Sequence, residues 1–499
     1  MAASERAGRV VSPTVVLVTV CAGVFLASLD QTSVVTALPA VMLDLGIGID
    51  RLDDLAWVVT AYLLGFTVAM PLLGRAGDVY GYRRLYLGAT LLFGVGSVLV
   101  ALAQGLAWLV AARVVQAIGG GALIPAAIAL ASERLPAARR ALVFGIVGAA
   151  AETGAVLGPL YGGAIIHWIG WRWIFWTNLP VVALLLLALI AVPEVTRQRG
   201  RLDVLGGLLL AVGLALVTVA LAQRSLFAIS SVLPYAFAAA GLIALGGLVY
   251  AERRAVEPVL SRALFGARRF TAAVSAQLLA GAALIMALVT VPLMTDTVLG
   301  EAPLEGGLRL MRLTGAIPFG AVLGGYAVRW TGERLPAVIG LLLVATGFLL
   351  MSTWGPGIAD PTMTVHLAIG GFGFGLVIVP LTVSAVDAAE ERYRGTAAAW
   401  LTAARMLGMT LGLAALSAWG MGEFQLLTAD LAFPLPAVGE SAQAFNARVA
   451  AYQEGVTGAS FDVFRAFFRA GATLALLAAV PALLLGQRGA LRSGATAQR

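Results

Sequence analysis

Stretches of about twenty mainly apolar residues, the length that crosses a bilayer as a helix, recur along almost the whole of this 499-residue chain. They lie at 15–43, 56–73, 85–103, 107–131, 141–165 and 173–192, then at 204–222 and 232–251, and finally at 270–298, 307–328, 335–354, 363–386, 396–420 and 461–485. That is a six, two, six grouping of fourteen spans, which predicts an all-α integral membrane protein. The expected units are an N-terminal six-helix half over 1–195, two linker helices over 196–262, and a C-terminal six-helix half over 263–499. Hydrophobic residues make up 60% of the chain and charged residues 12%, about half the charged share of a soluble domain. A soluble protein so composed could not cover its own surface.

The loops test the count, because basic residues accumulate on the cytoplasmic side of a membrane protein. All 33 basic residues are arginine. Most cluster on alternate connections: Arg6 and Arg9; Arg75, Arg83 and Arg84; Arg134, Arg139 and Arg140; Arg197, Arg199 and Arg201; Arg253, Arg254, Arg262, Arg268 and Arg269; Arg329 and Arg334; Arg392 and Arg394; Arg488, Arg492 and Arg499, while the opposite side has scattered residues such as Arg51, Arg172, Arg224 and Arg448. An even number of spans with both termini cytoplasmic follows. The net charge of +7 therefore reports topology, and no water-facing basic surface is left for nucleic acid. The first apolar run carries Asp30 and Gln31 and exceeds a signal-peptide core, so it is expected to be retained. Cys21 has no partner for a disulfide.

The two halves repeat. The turn after the second span reads Gly74-Arg75-Ala76-Gly77-Asp78-Val79-Tyr80-Gly81, and its counterpart reads Gly325-Tyr326-Ala327-Val328-Arg329-Trp330-Thr331-Gly332. Such repeats mark alternating-access transporters, with the substrate site at the repeat interface. One connection is long. Residues 421–462 hold Pro434 and Pro436 and then an apolar-patterned stretch over 441–452, which reads either as an irregular external loop or as an ordered extension with an amphipathic helix.

Ionisable residues inside spans are costly and face a cavity or a partner. Asp30, in the first span, is the first candidate for proton coupling, the alternative being a carboxyl held by neighbouring threonines. Arg113, in the fourth, is always charged and needs an acid or carbonyls around it, either to tie helices together or to take part in coupling. Glu152, in the fifth, precedes Gly154, Gly158, Pro159 and Gly162, a line of small residues that permits close helix approach and is expected at the interface between halves. Arg405 is the matching charge in the second half. A Glu152–Arg405 contact is predicted as a gate that opens when Glu152 takes up a proton or substrate arrives. Asp78 is placed to receive a neighbouring helix N-terminus or an arginine, while Arg329 occupies its place in the second half.

These stretches resemble the signature motifs of the major facilitator superfamily. The Gly74, Asp78, Gly81, Arg83, Arg84 loop resembles its motif A, the Arg113 helix its motif B, and the Glu152 to Gly163 run its antiporter motif C. Residues 29–39 and 171–180 resemble the fourteen-span drug:proton antiporter branch. Motif A departs at Val79 and Tyr82, where basic residues are usual, which implies a thinner salt-bridge network. A closer resemblance, through residues 69–75, 154–161, 375–378, 403–406 and 414–420 and through the long last connection, is to the mycobacterial triacylglycerol exporter family. That resemblance implies transport-critical charges at Asp30, Glu152 and Arg405, a helical hairpin outside the membrane and an accessory lipoprotein at the external face.

The expected function is proton-coupled export of lipophilic substrates, lipids such as triacylglycerols, by a monomer in the bacterial cytoplasmic membrane, with the proton gradient in place of any cofactor or metal. Multidrug:proton antiport is the alternative. A membrane-bound acyl-transfer enzyme is the reading from a different class, and His167 and His366, the only histidines, have no catalytic motif around them. His366 reads as an interfacial residue.

Overall fold

The computed structural model describes residues 13–46, 52–134, 137–190, 192, 204–222, 230–252, 262–300, 303–355, 357–428, 434–435 and 441–486. The arginines of the two termini and of the connections at 193–203 and 253–261 lie outside the described residues. The first half comprises α1 (Pro13–Asp44), α2 (Leu52–Tyr80), α3 (Tyr82–Ala101), α4 (Leu106–Arg134), α5 (Ala137–Ile169), a short α6 (Trp173–Trp176) and α7 (Asn178–Ile190). Then come α8 (Val204–Ala222) and α9 (Leu233–Glu252). The second half has a short α10 (Arg262–Gly266), α11 (Arg268–Thr297), α12 (Pro303–Thr331), α13 (Arg334–Met351), α14 (Asp360–Asp387), α15 (Arg394–Thr428) and α16 (Ala442–Ala482).

Every predicted span falls on helix, because a chain without water around it must satisfy its backbone internally. Eleven helices among the described residues are long and apolar enough to cross a membrane. Outside those eleven are α8, whose apolar core is the shorter Leu205–Val217, and α12 and α15. The sixth span is broken at Thr177 between α6 and α7, where Pro180 has no N–H to give to the Trp176 carbonyl.

Two departures concern packing and length. The Gly154, Gly158 and Gly162 line does not face the other half. It seats α5 on α1 within the first half, where side chains at these positions would collide with the Phe25 carbonyl and with Oγ1 of Thr32 and Thr36. The contact between halves uses the other face and the arginine-rich end of α5: Gly145 abuts the Ala321 carbonyl, and Gly325 abuts Ala141 and Leu142. The second departure is α16. The predicted amphipathic stretch and last span are one 41-residue helix, about 60 Å long at 1.5 Å per residue and twice the hydrocarbon thickness. Ser441 caps it by accepting from the Ala444 N–H at 3.2 Å. Apart from 434–435 and the cap Ser441, the described part of the extension is thus helix. The linker helices pack on each other, with Gly213 against Leu245 and Gly241 against Val217, and Gly207 of α8 lies on Leu72 of α2.

Candidate functional site

Helices α1, α3, α4 and α7 bring four polar side chains around Asp30. Arg113 Nη1 donates to Asp30 Oδ2 at 2.8 Å and to Gln116 Oε1 at 2.6 Å. Gln116 Nε2 and Asn178 Nδ2 donate to Asp30 Oδ1 at 2.9 and 2.8 Å, and the same two amides donate to Ser97 Oγ at 2.9 and 3.2 Å. Arg113 also lies over the Tyr62 ring, 4.0 Å from its centre. Asp30 is 1% exposed and Arg113 and Gln116 are fully buried. Both oxygens of the Asp30 carboxylate are engaged, whereas Nε and Nη2 of Arg113 are buried without a hydrogen-bond partner among the described residues, so the dry pair rests on the carboxylate's bonds and on the guanidinium's place over the Tyr62 ring. Neighbouring threonines do not hold Asp30: Thr32 and Thr36 bond backbone carbonyls of their own helix.

Glu152 and Arg405 meet across the halves. Arg405 Nη1 donates to Glu152 Oε1 at 2.6 Å, with the two side chains 20% and 12% exposed. This is the pairing predicted from sequence. Gly281 and Gly408 seat α11 against α15 on either side of Arg405, since side chains there would strike the Arg405 and Leu278 carbonyls. A small cavity lined by Gln277, Leu284, Phe374, Ile378 and Arg405 opens beside the pair.

At the arginine-rich end, Asp78 receives the N-terminus of α15, one of the two partners predicted for it. Asp78 Oδ1 accepts from Gly395 N–H at 2.9 Å and Oδ2 from Thr396 N–H at 3.0 Å, and the Thr396 hydroxyl also bonds Oδ2. The carboxylate thus takes N–H groups that a helix start leaves without partners, where the macrodipole favours negative charge. Tyr82, expected to weaken this network, joins it: its hydroxyl donates to Asp78 and accepts from Gly395 N–H at 2.8 Å. Gly74 makes the approach possible, because a side chain there would strike the Gly395 carbonyl and Ala399. Gly81 and its repeat counterpart Gly332 both have positive φ, 97° and 79°, which only glycine adopts freely.

Arg83 turns away from this contact. Its Nε and Nη2 donate to the carbonyls of Leu189 and Ile190 at 2.9 and 3.0 Å, tying α3 to the end of α7. Arg84 and Arg329 are exposed. In place of a second Asp78, Arg140 of α5 faces Asp387 of α14 at 3.9 Å. Nearby, Glu333 Oε2 accepts from Gly486 N–H at 3.1 Å, and its withdrawal from water pushes the Glu333 carboxyl above the ordinary carboxylate range. His366 Nδ1 accepts from Trp354 Nε1 at 3.1 Å, a packing role. Among the described residues no cluster of His, Cys, Asp or Glu could hold a metal.

Sequence reading missed Ser97, Asn178 and Tyr62 as partners of the Asp30 pair, and Arg140 with Asp387 as a second contact between halves. The available signal was a lone Asn and a lone Ser within apolar runs. Nothing in the sequence pairs Asp387 with a residue 247 positions away.

The family model described as Major Facilitator Superfamily matches residues 20–413. A triacylglyceride transporter of Mycolicibacterium hassiacum is 40% identical over 434 residues, covering 83% of this chain and 81% of its own. The triacylglyceride transporter of Mycobacterium tuberculosis H37Rv is 37% identical over 486 residues, covering 91% of this chain and 92% of its own. Among solved structures, the human organic anion transporter MFSD10 superposes with TM-score 0.62 at 18% identity, over 95% of this chain and all of that one. A proton:xylose symporter gives 0.60 at 17%, over 94% of each. The family model spans well over half of the chain, the helix arrangement agrees with it, and the chain belongs to the Major Facilitator Superfamily.

Proposed function

We propose that this multi-pass membrane transporter exports lipids of the triacylglyceride class by proton-coupled alternating access. The observation that carries the coupling is the Asp30 carboxylate, 1% exposed and held by Arg113, Gln116 and Asn178. Protonation would release Arg113 from its charge partner, so proton uptake and rearrangement of α1 against α4 are one event. Glu152 and Arg405 act as the gate between halves, and Asp78 on α15 holds the arginine-rich side shut, which leaves the opposite side to open. The two relatives, both triacylglyceride transporters, support the lipid class. The long α16 supports an extension that shields acyl chains outside the bilayer.

In this reading the arginine-rich face and both termini are cytoplasmic, the membrane is the bacterial inner membrane, and the protein works as a monomer with units 1–195, 196–262 and 263–499. A lipoprotein would receive lipid at the far end of α16. Proteoliposomes loaded with labelled triacylglycerol test the proposal. Export should need a proton gradient, fall to background in Asp30→Asn, and fall in a chain lacking residues 423–460. Gradient-driven export of drugs but not of triacylglycerol would replace it with multidrug antiport. Gradient-independent export by Asp30→Asn would sink the coupling role.

A further inference from the structure

A groove of about 250 Å³ runs down the outer face of the first half between α2, α3 and α4. Its floor is apolar, with Leu73 and Ala76 from α2, Leu85 and Leu92 from α3, and Ile118 from α4, and Arg84 and Tyr80 line its end at the arginine-rich face. From Arg84 to Leu92 is eight residues of helix, so it reaches about 12 Å into the span. The neighbouring Leu91 and Val95 are exposed, which places the groove against lipid. Gly88 lines it, and a side chain there would meet nothing within 4 Å.

A charged group at the interface with an apolar trough leading inward has the layout of one lipid leaflet. The chain part cannot discriminate, since lipid tails are as apolar as the groove and no water is displaced. Selection must come from the guanidinium, which favours a phosphate. A neutral triester offers Arg84 no charge. We propose that this groove binds an anionic phospholipid, its phosphate on Arg84 and one acyl chain along Gly88 to Leu92. The site also lies behind a gate. Gly74 and Asp78 of α2 engage α15, while Leu73, Ala76 and Tyr80 of the same turns form the groove wall, so an occupant braces α2 against α15.

The test uses the full-length protein in phosphatidylcholine nanodiscs with a trace of phosphatidylglycerol carrying a photoreactive group in one acyl chain, and peptide mapping of the adducts. Adducts should fall within residues 73–92 and be competed by unlabelled phosphatidylglycerol. They should drop about fivefold in Arg84→Gln, the loss expected for one interfacial arginine, and be lost in Gly88→Leu, which fills the trough. Thermal unfolding in detergent checks that both variants are folded, and Gly88→Ala, which fills less, should give an intermediate yield. Equal labelling by a phosphatidylcholine probe, or labelling unchanged in Arg84→Gln, would overturn the anionic selectivity. A triacylglycerol probe that labels these residues as strongly as phosphatidylglycerol would make the groove part of the substrate path instead.

Discussion

Two buried carboxylates, Asp30 and Glu152, each sit against one arginine, yet their surroundings differ. Asp30 lies within one half, fully dry, with Arg113, Gln116 and Asn178 on its two oxygens. Glu152 reaches across to the other half, is bonded to Arg405, and keeps partial exposure. A network inside one rigid half can bind a proton without the halves coming apart. A bond spanning two halves must break each time they separate, and partial solvation keeps that break cheap. In the proposed mechanism the difference is that between a proton-binding element and a latch.

The sharpest way to break that comparison is to remove each arginine. Arg113→Met should destabilise the protein by about 3–5 kcal/mol, because it strands a charge in a dry site, whereas Arg405→Met should cost less than that, because Glu152 keeps some solvent. Thermal unfolding in detergent reads both, and equal losses would erase the distinction. At the latch itself, Glu152→Arg and Arg405→Glu should each impair transport, and the double swap should recover much of it. No recovery would mean the pair does more than hold the halves together.

Smaller effects belong to the arginine-rich side. Asp78→Ala removes the cap on α15, about 0.5–2 kcal/mol, and should lengthen spin-label distances between α2 and α15 at that end. Unchanged distances would show that the glycine contacts suffice. The smallest effect is at Glu333. Its carboxyl is raised by desolvation, so the ionised form is the strained one. The cost is absent in acid, appears as pH rises past the ordinary carboxylate value, and is complete above the raised one. Glu333→Gln should therefore match the wild type at low pH and gain stability over it towards neutrality, in a pH series of unfolding temperatures.

Much of the site could be read from the chain because charge inside an apolar run has few explanations. Asp30, Arg113, Glu152 and Arg405 stand out for that reason, and the pairing across halves follows from Arg405 being the charge in the second half that matches Glu152. Asn178 and Ser97 do not stand out, since a neutral polar residue is common in spans and its partner depends on how helices rotate against each other. Tyr82 reads as a missing basic residue and turns out to bond the carboxylate it was expected to leave alone.

The sequence by itself determined the helices and the identity of the buried charges, because hydrophobic length and the cost of burying charge are properties of single segments. Only the tertiary structure decided which face of α5 meets α1 and which meets α12, that Asp78 takes the start of α15, and that the last connection and last span are one helix. Those outcomes depend on helix rotation and on residues hundreds of positions apart, and neither is written in any one segment.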